Sequence, residues 1–572
     1  MYQYPKILPE TPAPNPNNPT DEQRHDMLRT SLNKAGRNDD YTNIIGLLSP
    51  SQDITRYANP GEFKGRKVGI IGAGLAGMSA AFELRKLGYD ITIFDPVADR
   101  IGGRVYTYYF DKEKRLYGEF GATRIPISHE TTWHYINLFK LNTIPYINAD
   151  PNTFTYVRNI RVRNDLEGQN IFHSIYPLFN LPSKEANTPW PELYYKVSRY
   201  YLSNLTPEIR KQFLMILPRY DVRFENIINM SIRQALNLYG LSSAAINLIT
   251  SVMPITGSTI DNSFEGTLND DYTMDYFNLY RIDGGMANLP LAFYSSLSSP
   301  NPPEYPGIPQ SALGRITWKR GHAVYGLYKS GTDGKVVVKH RAFPSYTHYE
   351  DSFETFDYVI CAITMSQLRL VDIQPQFSEG KMEAIKNVVN LDAQKTLFLC
   401  KERFWEKQGI FGGSSYTDGI SQIISYPQDH TPNMQNSANS FSEPGVLTAS
   451  YNVGQDAIRL GHAHVSSRYR FVREDVERVH GLPEKYLESI VLDHKTVDWF
   501  QEYYAKGAFR ALLPGLKTEL LYPSSVPEFN NRVFFAGEQV STKNAWIQGA
   551  LQTGMSAAND VACYSIIRKH QK

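Results

Sequence analysis

The sequence predicts an α/β protein, and three observations predict it. A short apolar strand at Val68–Ile71 runs directly into a glycine cluster and a helix, apolar residues recur at helical spacing between about 170 and 275, and strand-like runs return from Lys335 onward. At 572 residues the chain is long for a single core. Two or three packed domains are therefore expected, with room to bury a large ligand.

Residues 1 to about 65 read as an N-terminal extension. Pro9–Pro19 should be irregular, and Thr20 followed by Asp-Glu-Gln is the N-cap signature of a helix of roughly a dozen residues. Asn43–Leu48 adds an apolar turn. After the Val68–Ile71 strand, Ala76–Leu87 reads as a helix stopped by Gly88, and Ile91–Phe94 as the returning strand. This βαβ unit has the tight form of a nucleotide-binding fold. The stretch 170–280 is a helical insertion, with apolar spacing in Pro191–Val197 and Ser231–Tyr239. Lys335–Lys339, Tyr358–Ile363, Thr396–Leu399 and Val446–Tyr451 read as strands, and the chain closes with a strand at Arg532–Gly537 and a helix from about Gln548.

Charge and composition narrow the partners. Lys and Arg number 59 against 58 Asp and Glu without long runs of either sign, so the summed field favours neither nucleic acid nor an anionic membrane. Small molecules or further copies of the chain, in a homo-oligomer, are the expected partners. Cys361, Cys400 and Cys563 lie far apart with no CxxC pair and no Cys/His cluster, which argues against a metal site or a disulfide framework and fits a reducing compartment. The polar, Pro/Asn-rich start lacks the basic and apolar regions of a signal peptide. The uncharged run from Val68 to Phe82 is too short to span a bilayer, and a soluble cytoplasmic protein is expected.

Gly72, Gly74 and Gly77 form a G-x-G-x-x-G directly after the strand. The first allows the turn, the second lets backbone approach a pyrophosphate, the third lets helix pack on strand, and the N-terminus of that helix, with Leu75 and Ala76, faces the phosphates. Asp95, the acid for a ribose diol, stands 21 residues beyond Gly74, close to the ~20 expected. The fingerprint alone leaves FAD and NAD equally open.

Arg100-Ile-Gly-Gly103-Arg104 resembles the second Gly-Gly-Arg stretch of the flavin monoamine oxidase family, and Phe535-Ala-Gly-Glu538 with Ala545-Trp546-Ile547-Gln-Gly resembles its flavin-binding tail. The resemblance covers most of residues 66–565 and is closest to the L-amino-acid oxidases. It implies a two-domain α+β flavoprotein. A Rossmann-like FAD-binding domain would comprise 66–127, 281–390 and 500–572, and a mixed-sheet substrate domain 128–169 and 391–499. It also implies that Glu538 accepts from the ribityl chain, that backbone at Trp546 and Ile547 meets the ring system, and that Val324 lies by the adenine. No cysteine falls between Cys400 and Cys563, so the tether of monoamine oxidases is missing and the FAD is expected to be non-covalent.

Two segments speak to substrate. Gly118-Glu-Phe-Gly121-Ala122-Thr123-Arg124-Ile-Pro126 resembles the family's G-x-M-R-[LIF]-P, with Thr123 where Met is usual. Its arginine forks the substrate α-carboxylate in relatives, a task suited to a guanidinium's parallel donors. The alternative is a buried arginine paired with an acid such as Glu119. In Ala449-Ser-Tyr451 the family tyrosine adds a hydroxyl to the same carboxylate, although a tyrosine at a strand end is otherwise packing. Lys395, in Ala393-Gln-Lys-Thr, looks like the family lysine that holds a water against flavin N5, and Trp546 lies beside the ring. At Asn269 some relatives carry a histidine proposed as a base, and an asparagine takes no proton at neutral pH. The resemblance implies oxidation of a free L-amino acid by FAD and O2 to a 2-oxo acid, ammonia and hydrogen peroxide. An amide-forming 2-monooxygenase or an amine or polyamine oxidase of the same family is the alternative.

Overall fold

The computed structural model describes residues 15–331, 334–342, 350–430 and 440–570. The reading of Pro9–Pro19 as irregular lies outside the described residues up to position 14, and from Asn15 to Pro19 the chain forms no helix or strand. Thr20 caps the Asp21–Lys34 helix through a reciprocal box with Gln23, Thr20 Oγ1 accepting from its amide and Gln23 Oε1 from that of Thr20.

The expected βαβ unit is present as Lys67–Ile71, Leu75–Lys86 and Asp90–Asp95, with Gly88 at φ +86° just past the helix. Its two strands sit in a five-stranded parallel sheet ordered Ile316–Arg320, Asp90–Asp95, Lys67–Ile71, Tyr358–Cys361, Val533–Phe535. Strand order reverses at Lys67–Ile71, so a crevice opens above the carboxyl ends of this sheet, the place where open α/β sheets bind ligands. The first and last strands are nearly the length of the chain apart. They are clamped by the Ile547–His570 helix lying against Leu75–Lys86, where a Cβ on Gly554 would come within 2.0 Å of Ser79 Oγ.

Four strands, Asp351–Phe356, Val336–Ala342, His322–Lys329 and Asp372–Gln374, form a second sheet over the first. Phe94, Leu327, Val338 and Phe356 pack together between the two. A mixed sheet of seven strands runs Val491–Asp498, Ala393–Cys400, Gly445–Val453, Ile423–Ser425, Ser414–Thr417, Phe154–Val157, Ile160–Arg163. It is backed by the Val465–His480 helix through Phe398, Leu447, Val472 and Val476. Between 169 and 272 the chain is helical, from Gln169–Ser174 to Phe264–Tyr272. Ser231 opens the Ile232–Tyr239 helix with another capping box, and Gly240 ends it at φ +100°.

Where the seven-stranded sheet ends, two carboxyl groups are buried together. Among the described residues no donor is well placed on either oxygen of Asp392 or on Asp498 Oδ2, the amides of Phe500 and Ala393 only approaching Asp392, while Asp498 Oδ1 accepts from Phe500 N at 2.9 Å. A shared proton satisfies both side chains, and burial with the neighbouring Asp498 pushes Asp392 up to about 7. The folded protein therefore holds a proton that the unfolded chain releases near pH ~4. The stabilisation is complete below that point and is lost as pH rises through about 7. Asp392→Asn keeps a neutral hydrogen-bonding group, so its melting temperature relative to the unmodified protein rises as the buffer is taken from pH ~5 to ~8. A difference that is flat with pH would overturn the shared proton.

Candidate active site

The crevice above the five-stranded sheet continues as one cavity of about 800 Å³ to the inner face of the seven-stranded sheet and the helical insertion. Its near end is the glycine fingerprint. Gly72 takes φ +105°, and a Cβ there would meet Ala362 O at 2.9 Å, so the turn demands glycine. A Cβ on Gly74 would meet no protein atom within 4 Å and would project into the space a pyrophosphate needs. Leu75 and Ala76 line that space at the start of their helix, whose amides point to it. Gly77 is the third glycine of the fingerprint, the one expected to let helix pack on strand. It does not line the cavity, and its Cβ would fall 2.0 Å from Gly72 O, so its purpose is packing of helix on strand.

Asp95 lines the cavity at its strand end, its two oxygens accepting from Ala73 N at 2.8 Å and Val97 N at 2.9 Å. Gly103 follows at φ +58°, its Cβ position 3.5 Å from Gly74 Cα, while Gly121 sits against Arg104 O with no room for a side chain. Arg104 Nη1 donates to Glu538 Oε1 at 2.6 Å. Glu538 Oε2 accepts from Ala545 N at 3.2 Å and Arg510 N at 3.4 Å, so this carboxylate ties three segments together on the cavity wall. Ala545 is held at φ +63°, which turns Trp546 and Ile547 onto the wall where the C-terminal helix begins. Val324, in the His322–Lys329 strand, lines the opposite end with Ala323 and Tyr325. Cys361, Cys400 and Cys563 are free thiols, and none borders the cavity.

At the far end the seven-stranded sheet presents Lys395 and Tyr451 as directly paired residues on neighbouring strands. Lys395 Nζ donates to the carbonyls of Gly121 at 2.8 Å and Glu119 at 3.1 Å and lies 4.8 Å from the Tyr451 ring centre. Burial, reinforced by Arg124 and opposed by Glu119, lowers its ammonium to about 8. Glu119 is raised to about 7 by its own burial while it accepts from Thr107 Oγ1 and Met286 N.

Ala122, Thr123 and Arg124 continue along the wall. Arg124 is followed at once by the Ile125–Pro126 strand, which pairs with Leu279–Ile282 and fixes its backbone. Its guanidinium donates to Asn148 Oδ1 at 3.0 Å and faces the rings of Tyr276 at 5.3 Å and Tyr146 at 6.0 Å. Among the described residues no carboxylate pairs with it, Glu119 included. The cavity also exposes Tyr195, Tyr416 and the acids Asp270 and Asp271. Asn148, Tyr276 and Asp270 were missed in the sequence, because they reach the site through contacts that no local pattern marks.

The family of flavin-containing amine oxidoreductases matches residues 75–562. The chain belongs to that family. Members similar over their whole length include the L-amino-acid oxidase of Crotalus adamanteus, 26% identical over 534 residues, covering 93% of this chain and 92% of that protein. The L-amino-acid oxidase of Demansia vestigiata is 27% identical over 547 residues, with 94% and 93% covered. A solved structure of putrescine oxidase bound to putrescine superposes with a TM-score of 0.63 at 16% identity, covering 87% of this chain and 98% of that one. The family implies a flavin, and a flavin amine oxidoreductase with a glycine cradle at one end of its cavity and Lys395 at the other fits one. Among the described residues no helix is long and apolar enough to cross a membrane, and no group of His, Cys, Asp and Glu is arranged to hold a metal.

The two glycines separate by experiment. Gly74→Val should purify folded but colourless, with flavin absorbance lost and the melting temperature of the flavin-free protein unchanged. Gly77→Ala should lose ~1–3 kcal/mol of stability or more from overpacking, read as a lower melting temperature even in flavin-free protein.

Proposed function

We propose that the protein is an FAD-dependent L-amino-acid oxidase, converting a free L-amino acid, O2 and water to a 2-oxo acid, ammonia and hydrogen peroxide. The observation that carries this is Arg124, a guanidinium facing the cavity with no carboxylate partner among the described residues. A buried cation is costly without a counter-ion, and a substrate carboxylate supplies one. The L-amino-acid oxidases among the relatives support the same reading, whereas an amine substrate brings no such group.

FAD, rather than another flavin, is supported by the cradle at Gly72 and Gly74, which suits a dinucleotide pyrophosphate. Non-covalent attachment is supported by the absence of cysteine from the cavity wall. A cytoplasmic setting belongs to the same proposal, with three free thiols in its favour.

The flavin supplies the electron acceptor, and the residues bind and orient. Arg124 forks the carboxylate and the Tyr451 hydroxyl, which has no partner among the described residues, donates to the same oxygen. Trp546 and Tyr276 wall the reacting carbon. Lys395 spends two of its three ammonium donors on Gly121 and Glu119, leaving one for a water at the reacting face.

Arg124→Lys replaces the fork with a point charge and should lower kcat/KM roughly 10- to 100-fold, the worth of a charge-assisted hydrogen bond at ~1.5–3 kcal/mol. An unchanged value refutes the assignment. Anaerobic mixing with each of the common L-amino acids should bleach the oxidised flavin for at least one, and no bleaching with any would sink the reading. Recovery of amide and CO2 in place of 2-oxo acid and ammonia would mean a 2-monooxygenase.

A further inference from the structure

Asn269 is fully engaged as structure. Its Nδ2 donates to Phe213 O and Thr542 O, both at 3.0 Å, and its Oδ1 accepts from Lys543 Nζ at 2.8 Å. The next residue differs. Asp270 Oδ1 accepts from Trp546 Nε1 at 3.1 Å and from Lys543 Nζ at 3.2 Å, and no donor among the described residues reaches its second oxygen. A quarter of its side chain, 25%, is open, and the space it opens on is the cavity shared with Arg124, Lys395 and Tyr451. Two ring contacts join it to the guanidinium, Arg124 to Tyr276 at 5.3 Å and Tyr276 to Trp546 at 5.9 Å.

We propose that Asp270 is the catalytic base of this protein, its free oxygen taking the proton of the substrate α-ammonium while Arg124 holds the carboxylate. The inference rests on the amino-acid oxidase reading above. In balance, one N–H bond of the ammonium breaks and an O–H bond forms on Asp270. With the amine neutral, the nitrogen lone pair would close the C=N bond as the Cα–H bond breaks to give the iminium of the 2-oxo acid, and a bound flavin would supply the acceptor for the two electrons and the hydrogen.

The surroundings suit the task. Burial raises Asp270 to about 7, with the Asp275 carboxyl, within hydrogen-bonding reach, adding to the rise and Lys543 opposing it, so the two acids together give up their last proton near neutral pH. Lys543 is shared with Asp275, to which it is closely paired, and Asp275 also meets His129 Nε2 at 3.2 Å. Burial lowers the proton affinity of His129 against the pull of Asp275. Tyr276 faces the same space. Asp271, raised to about 6 by burial, accepts from the Ser198 hydroxyl through one oxygen and, unlike Asp270, receives no hydrogen bond from Trp546 or Lys543 among the described residues.

The test is flavin reduction by the best L-amino acid of the screen, followed against pH in the unmodified protein and in Asp270→Asn. Flavin content and melting temperature establish that the variant is folded. The unmodified protein should show an acid limb near 7. The variant should fall ~10²-fold or more at neutral pH and recover at high pH, where the substrate amine is already neutral. A variant that keeps the original pH profile, whatever its absolute rate, overturns the proposal. A second measurement needs no variant. Across substrates whose ammonium groups differ in acidity, the limb of the unmodified protein stays fixed if Asp270 sets it, and a limb that follows the substrate overturns the proposal. If amino acids leave the flavin oxidised and a diamine reduces it, the amino-acid reading fails separately, and the same comparison run with the diamine still decides Asp270.

Discussion

The site depends on one buried ammonium. Lys395 Nζ reaches from the seven-stranded sheet to the carbonyls of Glu119 and Gly121, and those two residues belong to the segment that continues into Arg124. The contact sets the distance between the sheet that carries Tyr451 and the loop that carries the guanidinium, so the positions of both are indexed to a single side chain. Hydrogen bonds of a charged donor inside a low-dielectric interior are strong. The cost of burying the ammonium appears as its lowered proton affinity. The same side chain positions two segments and carries an amine whose proton affinity is lowered.

Charge is distributed unevenly along the cavity wall. Arg124 and Lys395 stand at one side, and Asp270 and Asp271, at the end of the Phe264–Tyr272 helix, stand at another, with tyrosine and tryptophan faces between. Lys543, paired with Asp270, belongs to the second group, so opposite charges stand on both sides of the aromatic faces. The aromatic walls keep the dielectric low, which strengthens the attraction between opposite charges.

Much of this was legible in the sequence, for reasons that differ residue by residue. Gly72 and Gly74 are local requirements of a turn and a close approach, so spacing alone exposes them, and Thr20 and Ser231 announce helix starts in the same way. Arg124, Lys395 and Tyr451 were found through the segments around them, and the structure brings all three to one cavity. Gly77 follows from the same glycine spacing, as the glycine that lets helix pack on strand, and the 2.0 Å between its Cβ position and Gly72 O is that packing. Asp270 and Asn148 escaped notice because their meaning comes from partners far away in the chain. The Asp392–Asp498 pair was invisible for the same reason, since two acids 106 residues apart carry no pattern.

The parallel sheet under the nucleotide crevice takes its central strand from Lys67–Ile71 and its edge strand from Val533–Phe535. Emerging at ~5–20 residues per second, the first half of the crevice waits on the ribosome for roughly 25 to 90 seconds before the tail that closes it exists. During that interval the Leu75–Lys86 helix shows the small-residue face on which the C-terminal helix will rest, and the Tyr358–Cys361 strand lacks its outer neighbour. Until that neighbour and that helix have emerged the crevice is open on one side, so the early-made part of the fold passes through a period in which its apolar faces lack their partners.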